Sequence, residues 1–177
     1  KADKRDVRVR ELIVIALNKP RGVVSTTSDP EGRPTVFDVL RKAGIEERLL
    51  AVGRLDRAST GLLLFTNDSQ LANRLTDPST GVPRRYVVTV RGLVTPEDAA
   101  SFADADIEIR KASKRETHLF VTLRQGKNRE IRRMLIGREL FADGSRWDEH
   151  GGGAGLEVEV LRDLANEASN PGRLVRW

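Results

Sequence analysis

The chain has 177 residues, 38% of them hydrophobic and 32% charged, which is enough for one core beneath a strongly ionic surface. It has no cysteine and two histidines, which excludes disulfides and thiol chemistry and argues against a histidine-based metal site or catalytic triad. A net charge of +5 and a pI of about 10.0 favour a polyanionic partner, most often nucleic acid, over a merely basic protein.

The first third of the chain predicts a charged entry, a buried strand and a turn-rich segment. Residues 1–10 are highly charged and are expected to form a linker ahead of one domain over residues 11–177. The apolar run 12–17 predicts a strand, and the Pro, Gly, Ser and Asp content of residues 18–34 predicts strand and turns. Three cations in that segment could reach phosphates: Lys19, Arg21 and Arg33. A short helix is then predicted over residues 35–40, with three inward side chains: Val36, Phe37 and Leu40.

The centre of the chain places an acid in a turn beside a core strand. Asp56 lies between Arg54 and Arg57 in a glycine-bounded turn, and the apolar run 62–65 predicts a buried strand directly after it. A carboxylate beside buried structure costs free energy unless it is paired. Asp56 is therefore either a functional carboxylate or one that only forms a salt bridge within the turn, and spacing alone leaves both open.

Short helices and alternating strands follow. Asp68 or Ser69 is predicted to cap a helix that buries Leu71 and Leu75. A strand begins near Arg84 and has three residues on one face: Tyr86, Val88 and Val90. Residues 95–98 form a good helix start, and alternation predicts two more strands, one with Ile107 and Ile109 and one with Leu119, Val121 and Leu123. These elements predict an α+β fold, a mixed and largely antiparallel sheet flanked by short helices.

A basic helix is predicted from about Asn128. Its apolar face comprises Ile131, Met134 and Leu135, and its opposite face Arg129, Arg132 and Arg133, with Lys127 at the entry. The alternative is an ordinary amphipathic helix with a solvated basic face. Farther on, residues 151–153 predict a flexible glycine linker and residues 156–161 a strand.

Residues 53–56, Gly-Arg-Leu-Asp, and residues 60–68, Thr-Gly-Leu-Leu-Leu-Phe-Thr-Asn-Asp, resemble the catalytic motif of RNA pseudouridine synthases. The closest group is the RsuA/RluB-like one that modifies ribosomal RNA. Residues 18–34, 84–86 and 125–134 resemble further family motifs, with Arg84 in a position where members usually have Lys. The resemblance is strong from about Leu17 to Leu135 and weak in a divergent part from about 136. It does not extend to the basic S4-type module that usually precedes this domain, so whether such a module was removed or never present stays open.

The resemblance implies roles for individual residues. Asp56 would be the catalytic residue, Arg132 its ionic partner, and Tyr86 the aromatic ring that stacks on a flipped-out uracil. Arg54 and Leu55 would position the substrate. RNA contacts would come from seven cations: Lys19, Arg21, Arg33, Arg84, Lys127, Arg129 and Arg133.

The implied reaction is the isomerisation of uridine to pseudouridine in ribosomal RNA, without cofactor or metal, by a cytoplasmic monomer. The carboxylate could attack C1′, stabilise positive charge on the sugar or take a sugar proton, and the sequence does not choose among these. The main alternative function is a non-catalytic ribosomal RNA-binding or ribosome-assembly module with the same basic face. A phosphate-transfer enzyme is disfavoured, because Gly126-Lys127 lacks the upstream glycine spacing of a P-loop.

Overall fold

The computed structural model describes residues 11–124 and 131, and the backbone of residues 157–160 and 174–176. The described strands are β1 (Val14–Lys19), β2 (Leu50–Val52), β3 (Thr60–Thr66), β4 (Arg84–Arg91), β5 (Asp106–Ala112), β6 (Glu116–Leu123), β7 (Glu157–Val160) and β8 (Leu174–Arg176). They form one sheet in the order β5-β6-β4-β7-β3-β1-β8, and β2 pairs with β3 beside this path. The pairs are antiparallel except β3–β7, which is parallel.

Within residues 11–124, three short helices connect these strands: α1 (Val36–Lys42), α2 (Ser69–Thr76) and α3 (Pro96–Ala100). Thr35 and Thr95 each close a capping box at the start of α1 and α3, and the Asp68 carboxylate caps α2. A 3-10 turn, Pro78–Thr80, follows α2. These caps satisfy backbone N–H groups that short helices would otherwise leave without partners.

One face of the sheet carries the described hydrophobic core in two clusters. The first lies beneath α1 and comprises Ile15, Leu17, Val23, Val36, Leu40, Leu49, Leu63 and Phe65. The second lies on β4 and β6 and comprises Val88, Val90, Val94, Phe102, Leu119, Val121, Leu123 and Ile131. The Phe37 ring meets the Phe65 ring edge-on, with centroids 5.5 Å apart, so α1 is fixed directly over β3.

Register shows that both clusters share a face. Leu17 pairs with Leu63 across β1 and β3, and at the ends of these strands Lys19 pairs with Gly61. Gly61 pairs with Val160 of β7, which pairs with Tyr86 of β4. Residues in register lie on the same side of a sheet. The row from Lys19 to Tyr86 therefore crosses the sheet between the two clusters.

The α+β fold with a largely antiparallel sheet is confirmed, as are the predicted strands and the helix at Thr35. The prediction for α2 is partly wrong, because Ala72 is its buried residue, whereas Leu71 and Leu75 are only half-buried. A small side chain at this point lets the helix backbone lie close to the elements beneath it. Ile131 is helical and buried, as predicted, whereas the other positions of the basic helix and the glycine linker lie outside the described residues.

Candidate active site

The segment that connects β2 to β3, residues 53–59, is called the Asp56 loop below. It begins at Gly53, whose φ of +84° lies in the left-handed region that side-chain-bearing residues rarely adopt. Its last four residues form a turn in which the Ser59 N–H donates to the Asp56 carbonyl oxygen at 3.0 Å. Asp56 is half-buried, and Ser59 is buried at the start of β3. The carboxylate-bearing residue thus sits in a tight turn joined directly to the core.

Lys19 supports this loop from within the protein. Its side chain is fully buried, and its ammonium donates to the carbonyl oxygens of Asp56 at 3.1 Å and Ser59 at 2.9 Å, and to that of Pro20 at 3.1 Å. Burial lowers the pKa of Lys19 from 10.5 to about 8, although the nearby Asp56 charge acts in the opposite direction. A pKa of about 8 still leaves Lys19 mostly protonated at neutral pH, with three N–H donors for three carbonyls.

Two further contacts tie the Asp56 loop to the segment that follows Lys19. The Gly22 N–H donates to the Arg57 carbonyl oxygen at 2.8 Å. The Ser25 hydroxyl donates to the Leu55 carbonyl oxygen at 2.9 Å and accepts from the Leu55 N–H at 3.2 Å. Residues 19–25 are called the support segment below. Hydrogen bonds from this segment therefore reach Leu55, Asp56, Arg57 and Ser59.

Tyr86 lies on the same face of the sheet as the Lys19 side chain. The register places it two strands from Gly61, a backbone separation of about 10 Å at the usual strand spacing of ~4.8 Å. Tyr86 is half-buried and packs against the second core cluster. The fold thus brings Tyr86 and the Asp56 loop to one region, between the two clusters.

The predicted cations divide by exposure and by partner. Arg21 of the support segment and Arg54 and Arg57 of the Asp56 loop are exposed. The sequence prediction did not include Arg57 among the RNA contacts. Arg33 is half-exposed and forms ion pairs with Asp29 at 2.7 Å and Glu31 at 2.9 Å. This arrangement neutralises the Arg33 charge within its own loop.

Two predicted phosphate contacts have interior positions. The Lys19 ammonium is buried and donates to three carbonyl oxygens, so it is not presented to solvent, and its contact with phosphate stays a prediction. Arg84 donates through Nη2 to the carbonyl oxygens of Leu75 at 2.9 Å and Thr76 at 3.3 Å, at the end of α2. Its Nη1 is buried and has no hydrogen-bond partner among the described residues. Arg84 therefore joins α2 to β4 in this structure.

Four predicted site residues lie outside the described residues: Lys127, Arg129, Arg132 and Arg133. Within the described part of the chain, no group of three or more His, Asp or Glu side chains could hold a metal ion. No described helix is both long and apolar enough to cross a membrane. A cavity of about 390 Å³ is lined by residues 32–34 and by three side chains of α1, and none of these residues belongs to the Asp56 loop.

Sequence reasoning missed Ser25 and the supporting position of Lys19. Ser25 gave no signal beyond being a hydroxyl residue in a turn-rich segment, because its partner Leu55 is 30 residues away. Lys19 offered a weak signal, since it lies two residues after an apolar run and would extend a buried strand. The exposure of Arg57 could have been inferred from its place in the same turn as Asp56.

Solved structures define the class to which this fold belongs. A crystal structure of a pseudouridylate synthase superposes with a TM-score of 0.68 and 22% identity, covering 96% of this chain and 72% of that one. An H/ACA RNP structure with a bound substrate RNA containing 2′-deoxyuridine superposes with a TM-score of 0.56 and 20% identity, covering 85% of this chain and 47% of that one. The fold is that of the pseudouridine synthases.

The sequence specifies the family. Residues 13–136 match the model of the RNA pseudouridylate synthase family, and the chain belongs to that family. It is 42% identical over 137 residues to an uncharacterised RNA pseudouridine synthase of Mycobacterium bovis, covering 70% of this chain and 54% of that protein. It is 43% identical over 133 residues to ribosomal large subunit pseudouridine synthase B of Pseudomonas aeruginosa, covering 68% and 34%. The chain thus spans about half or less of the length of these relatives.

Proposed function

We propose that this protein isomerises uridine to pseudouridine in ribosomal RNA, with Asp56 as the catalytic carboxylate. The observation that supports this most is the construction of the Asp56 loop in a member of this family. The support segment holds the backbone on both sides of Asp56. Tyr86 lies on the same face of the sheet as the Lys19 side chain of that segment. A carboxylate held in this way is suited to act at one defined atom of a substrate.

The reaction needs a carboxylate rather than a redox group. The bond from C1′ of the ribose to N1 of uracil breaks, and the base rotates. C1′ then forms a bond to C5, and C5 loses its proton. No net oxidation or hydrolysis occurs. Asp56 could act as a nucleophile at C1′, as a counter-charge for the sugar or as a base, and all three roles need it ionised and directed at the sugar.

Other residues complete the proposal. Arg132 would pair with Asp56, and Tyr86 would stack on the uracil, since an aromatic face is a common platform for a flipped base. Arg54 and Leu55 would position the substrate, and Arg21 and Arg57 would contact phosphates from the exposed side of the loop. The target would be a uridine in a loop or single strand, where unstacking costs least.

The proposal also covers the whole chain and its setting. Residues 11–177 would form one catalytic domain with a divergent part from about 136, acting as a cytoplasmic monomer. Relatives that are named for the large ribosomal subunit favour an RNA of that subunit as the first substrate to test.

Tritium release tests the proposal directly. Transcripts of ribosomal RNA labelled with tritium at uridine C5 release the label when C5 forms its bond to the sugar. We expect release with the wild-type protein and none with Asp56→Asn, which keeps the size of the side chain but removes its charge. Asp104→Asn is the matched control, because Asp104 is an exposed loop residue, and it should retain full activity. Turnover by Asp56→Asn would refute the catalytic assignment.

The pairing of Asp56 with Arg132 has its own test. Arg132→Ala should lower the single-turnover rate at saturating RNA by orders of magnitude, whereas Arg129→Ala and Arg133→Ala should mainly weaken binding. If Arg132→Ala affects only affinity, another cation is the partner of Asp56.

A further inference from the structure

Ser25 bonds both backbone groups of the residue that precedes Asp56. Its hydroxyl donates to the Leu55 carbonyl oxygen at 2.9 Å and accepts from the Leu55 N–H at 3.2 Å. The Ser25 hydroxyl thus provides hydrogen-bond partners for both backbone groups of Leu55, as a neighbouring strand does for a residue in a sheet. Ser25 and Leu55 are 30 residues apart, so this contact joins two separate segments of the chain.

We propose that Ser25 is a positioning residue for the Asp56 carboxylate, an inference that rests on the proposed function. The Leu55 carbonyl belongs to the planar peptide group that joins Leu55 to Asp56. Fixing that oxygen fixes the plane of this peptide group, and with it one of the two backbone torsions that set the direction of the Asp56 side chain. The bond to the Leu55 N–H fixes the preceding peptide group in the same way. Ser25 acts through the backbone and need not touch the substrate.

The two sides of Asp56 have different supports. Downstream, Lys19 holds the carbonyl oxygens of Asp56 and Ser59, and Gly22 holds that of Arg57. Upstream, the described hydrogen bonds on Leu55 come from Ser25. Losing the Ser25 hydroxyl would therefore leave Asp56 fixed on its downstream side but able to turn about the peptide group before it.

The rest of this region does not depend on the hydroxyl. The Val24 N–H donates to the Pro34 carbonyl oxygen at 3.0 Å, and the Val24 carbonyl oxygen accepts from the Val36 N–H at 2.9 Å. Val23 is buried in the first core cluster, and Leu55 packs against the same cluster. A variant without the hydroxyl should therefore fold normally and keep both segments in place, which separates positioning from stability.

Three variants test the inference: Ser25→Ala, Ser25→Thr and Ser28→Ala. Ser25→Ala removes the hydroxyl, and Ser25→Thr keeps it at a half-buried position. Ser28→Ala is the matched control, because Ser28 is exposed in the same stretch of chain and has no described side-chain hydrogen bond. The measurements are the single-turnover rate at saturating ribosomal RNA transcript, the Kd for that transcript and the Tm of each protein.

We expect Ser25→Ala to lower the single-turnover rate by about 10- to 100-fold, the range for a misplaced reactive group. Its Kd and Tm should stay close to those of the wild type. Ser25→Thr should restore most of the rate, and Ser28→Ala should match the wild type in all three measurements. This pattern supports positioning, since a merely structural residue would lower the Tm without slowing the folded enzyme.

Four results would overturn the inference. A normal rate for Ser25→Ala shows that the hydroxyl does not position Asp56, and a weaker Kd with a normal rate shows that Ser25 contacts RNA instead. A single-turnover rate for Ser25→Thr as low as that for Ser25→Ala also contradicts the inference. Absence of turnover by the wild-type protein overturns the proposed function and this role with it, whereas an active wild type with an unaffected Ser25→Ala overturns the positioning role alone.

Discussion

Two polar loops close to each other in the sequence are held in opposite ways. The Asp56 loop is held through its backbone, by donors of the support segment that reach the carbonyl oxygens of Leu55, Asp56, Arg57 and Ser59. Its two arginines, Arg54 and Arg57, are exposed and have no described ion pair. The stability of this loop therefore does not depend on ion pairs of these two arginines.

The second loop, residues 29–34, is called the Arg33 loop and is held by its own charges. The buried Asp29 carboxylate accepts from the Arg33 backbone N–H at 2.8 Å, from Nε at 3.0 Å and from Nη2 at 2.7 Å. Glu31 forms an ion pair with the same guanidinium at 2.9 Å. The charge-assisted and bidentate geometry makes this a strong contact of its kind.

The comparison indicates which arginine charges are available to bind a ligand. A loop held by a neighbouring segment can present its cations to solvent, whereas a loop held by internal ion pairs would have to break them to bind phosphate. We therefore expect Arg57 to contribute more to RNA binding than Arg33, although the sequence prediction named Arg33. Three predictions test this contrast.

The largest effect is expected from Lys19→Met, which removes the buried donor and keeps a flexible apolar stem. Three carbonyl oxygens lose their ammonium partner, so we expect a loss of about 1–3 kcal/mol in unfolding free energy, partly offset by relief from burying the charge. The single-turnover rate at saturating RNA should fall by about 100-fold. Kinetics and urea unfolding at one pH provide both values.

Lys42→Met is the matched control for this variant, because Lys42 is exposed on α1. It should leave stability and rate almost unchanged. If Lys19→Met weakened RNA binding while its rate stayed normal, Lys19 would be a phosphate contact after all.

An intermediate effect is expected from the two arginines. Arg57→Ala should flatten the log–log dependence of RNA affinity on salt by about 0.7–0.9, which is one phosphate contact. Arg33→Ala should leave that slope unchanged, since its charge is already neutralised within the loop. Titrations of a ribosomal RNA fragment between about 50 and 200 mM salt provide both slopes. If both variants flattened the salt dependence of RNA affinity equally, the proposed difference between the two loops would be wrong.

The smallest effect is expected from Asp29→Asn, as a dependence of stability on pH. Hydrogen bonds from the Arg33 side chain, and then from its backbone N–H, hold the pKa of the Asp29 carboxyl below its ordinary value of 3.8. The folded state therefore favours the ionised form, and this stabilisation is present above the unfolded pKa and is lost as pH falls through the folded one. Wild type should be more stable than Asp29→Asn near neutral pH, and the two should converge in acid.

Urea unfolding at a series of pH values between about 7 and 2 measures that difference. Asp104→Asn, at an exposed loop position, should show no such convergence. A difference between wild type and Asp29→Asn that stays constant over the whole range would mean that the carboxylate does not hold the Arg33 loop.

The sequence predicted most of the sheet, because the signal is local. Alternation at Val88 and Val90, and again at Leu119 and Val121, is visible within a few residues and defines one buried face. Strand β2 was missed because three residues are too few to show a period, and β8 because its formation depends on pairing with β1 at the other end of the chain.

The candidate site could be predicted only in part, because only some of its residues belong to contiguous motifs. Asp56 and Tyr86 could be named from their motifs, because motifs are contiguous. The position of Lys19 could not, because its burial follows from pairing with Gly61 and from the loop that folds over it. The same holds for Ser25, whose partner is a backbone group, and every residue has the same backbone groups.

The position of β7 affects how the protein folds. In the described sheet, β3 and β4 are connected only through β7, residues 157–160, which lies between them. Strand β3 follows the Asp56 loop, and β4 carries Tyr86. Strand β1 likewise pairs with residues 174–176. Such long-range contacts slow folding, because a large closure entropy must be overcome before they form. On the ribosome, the two halves of the sheet would stay apart until residues 157–160 have been synthesised.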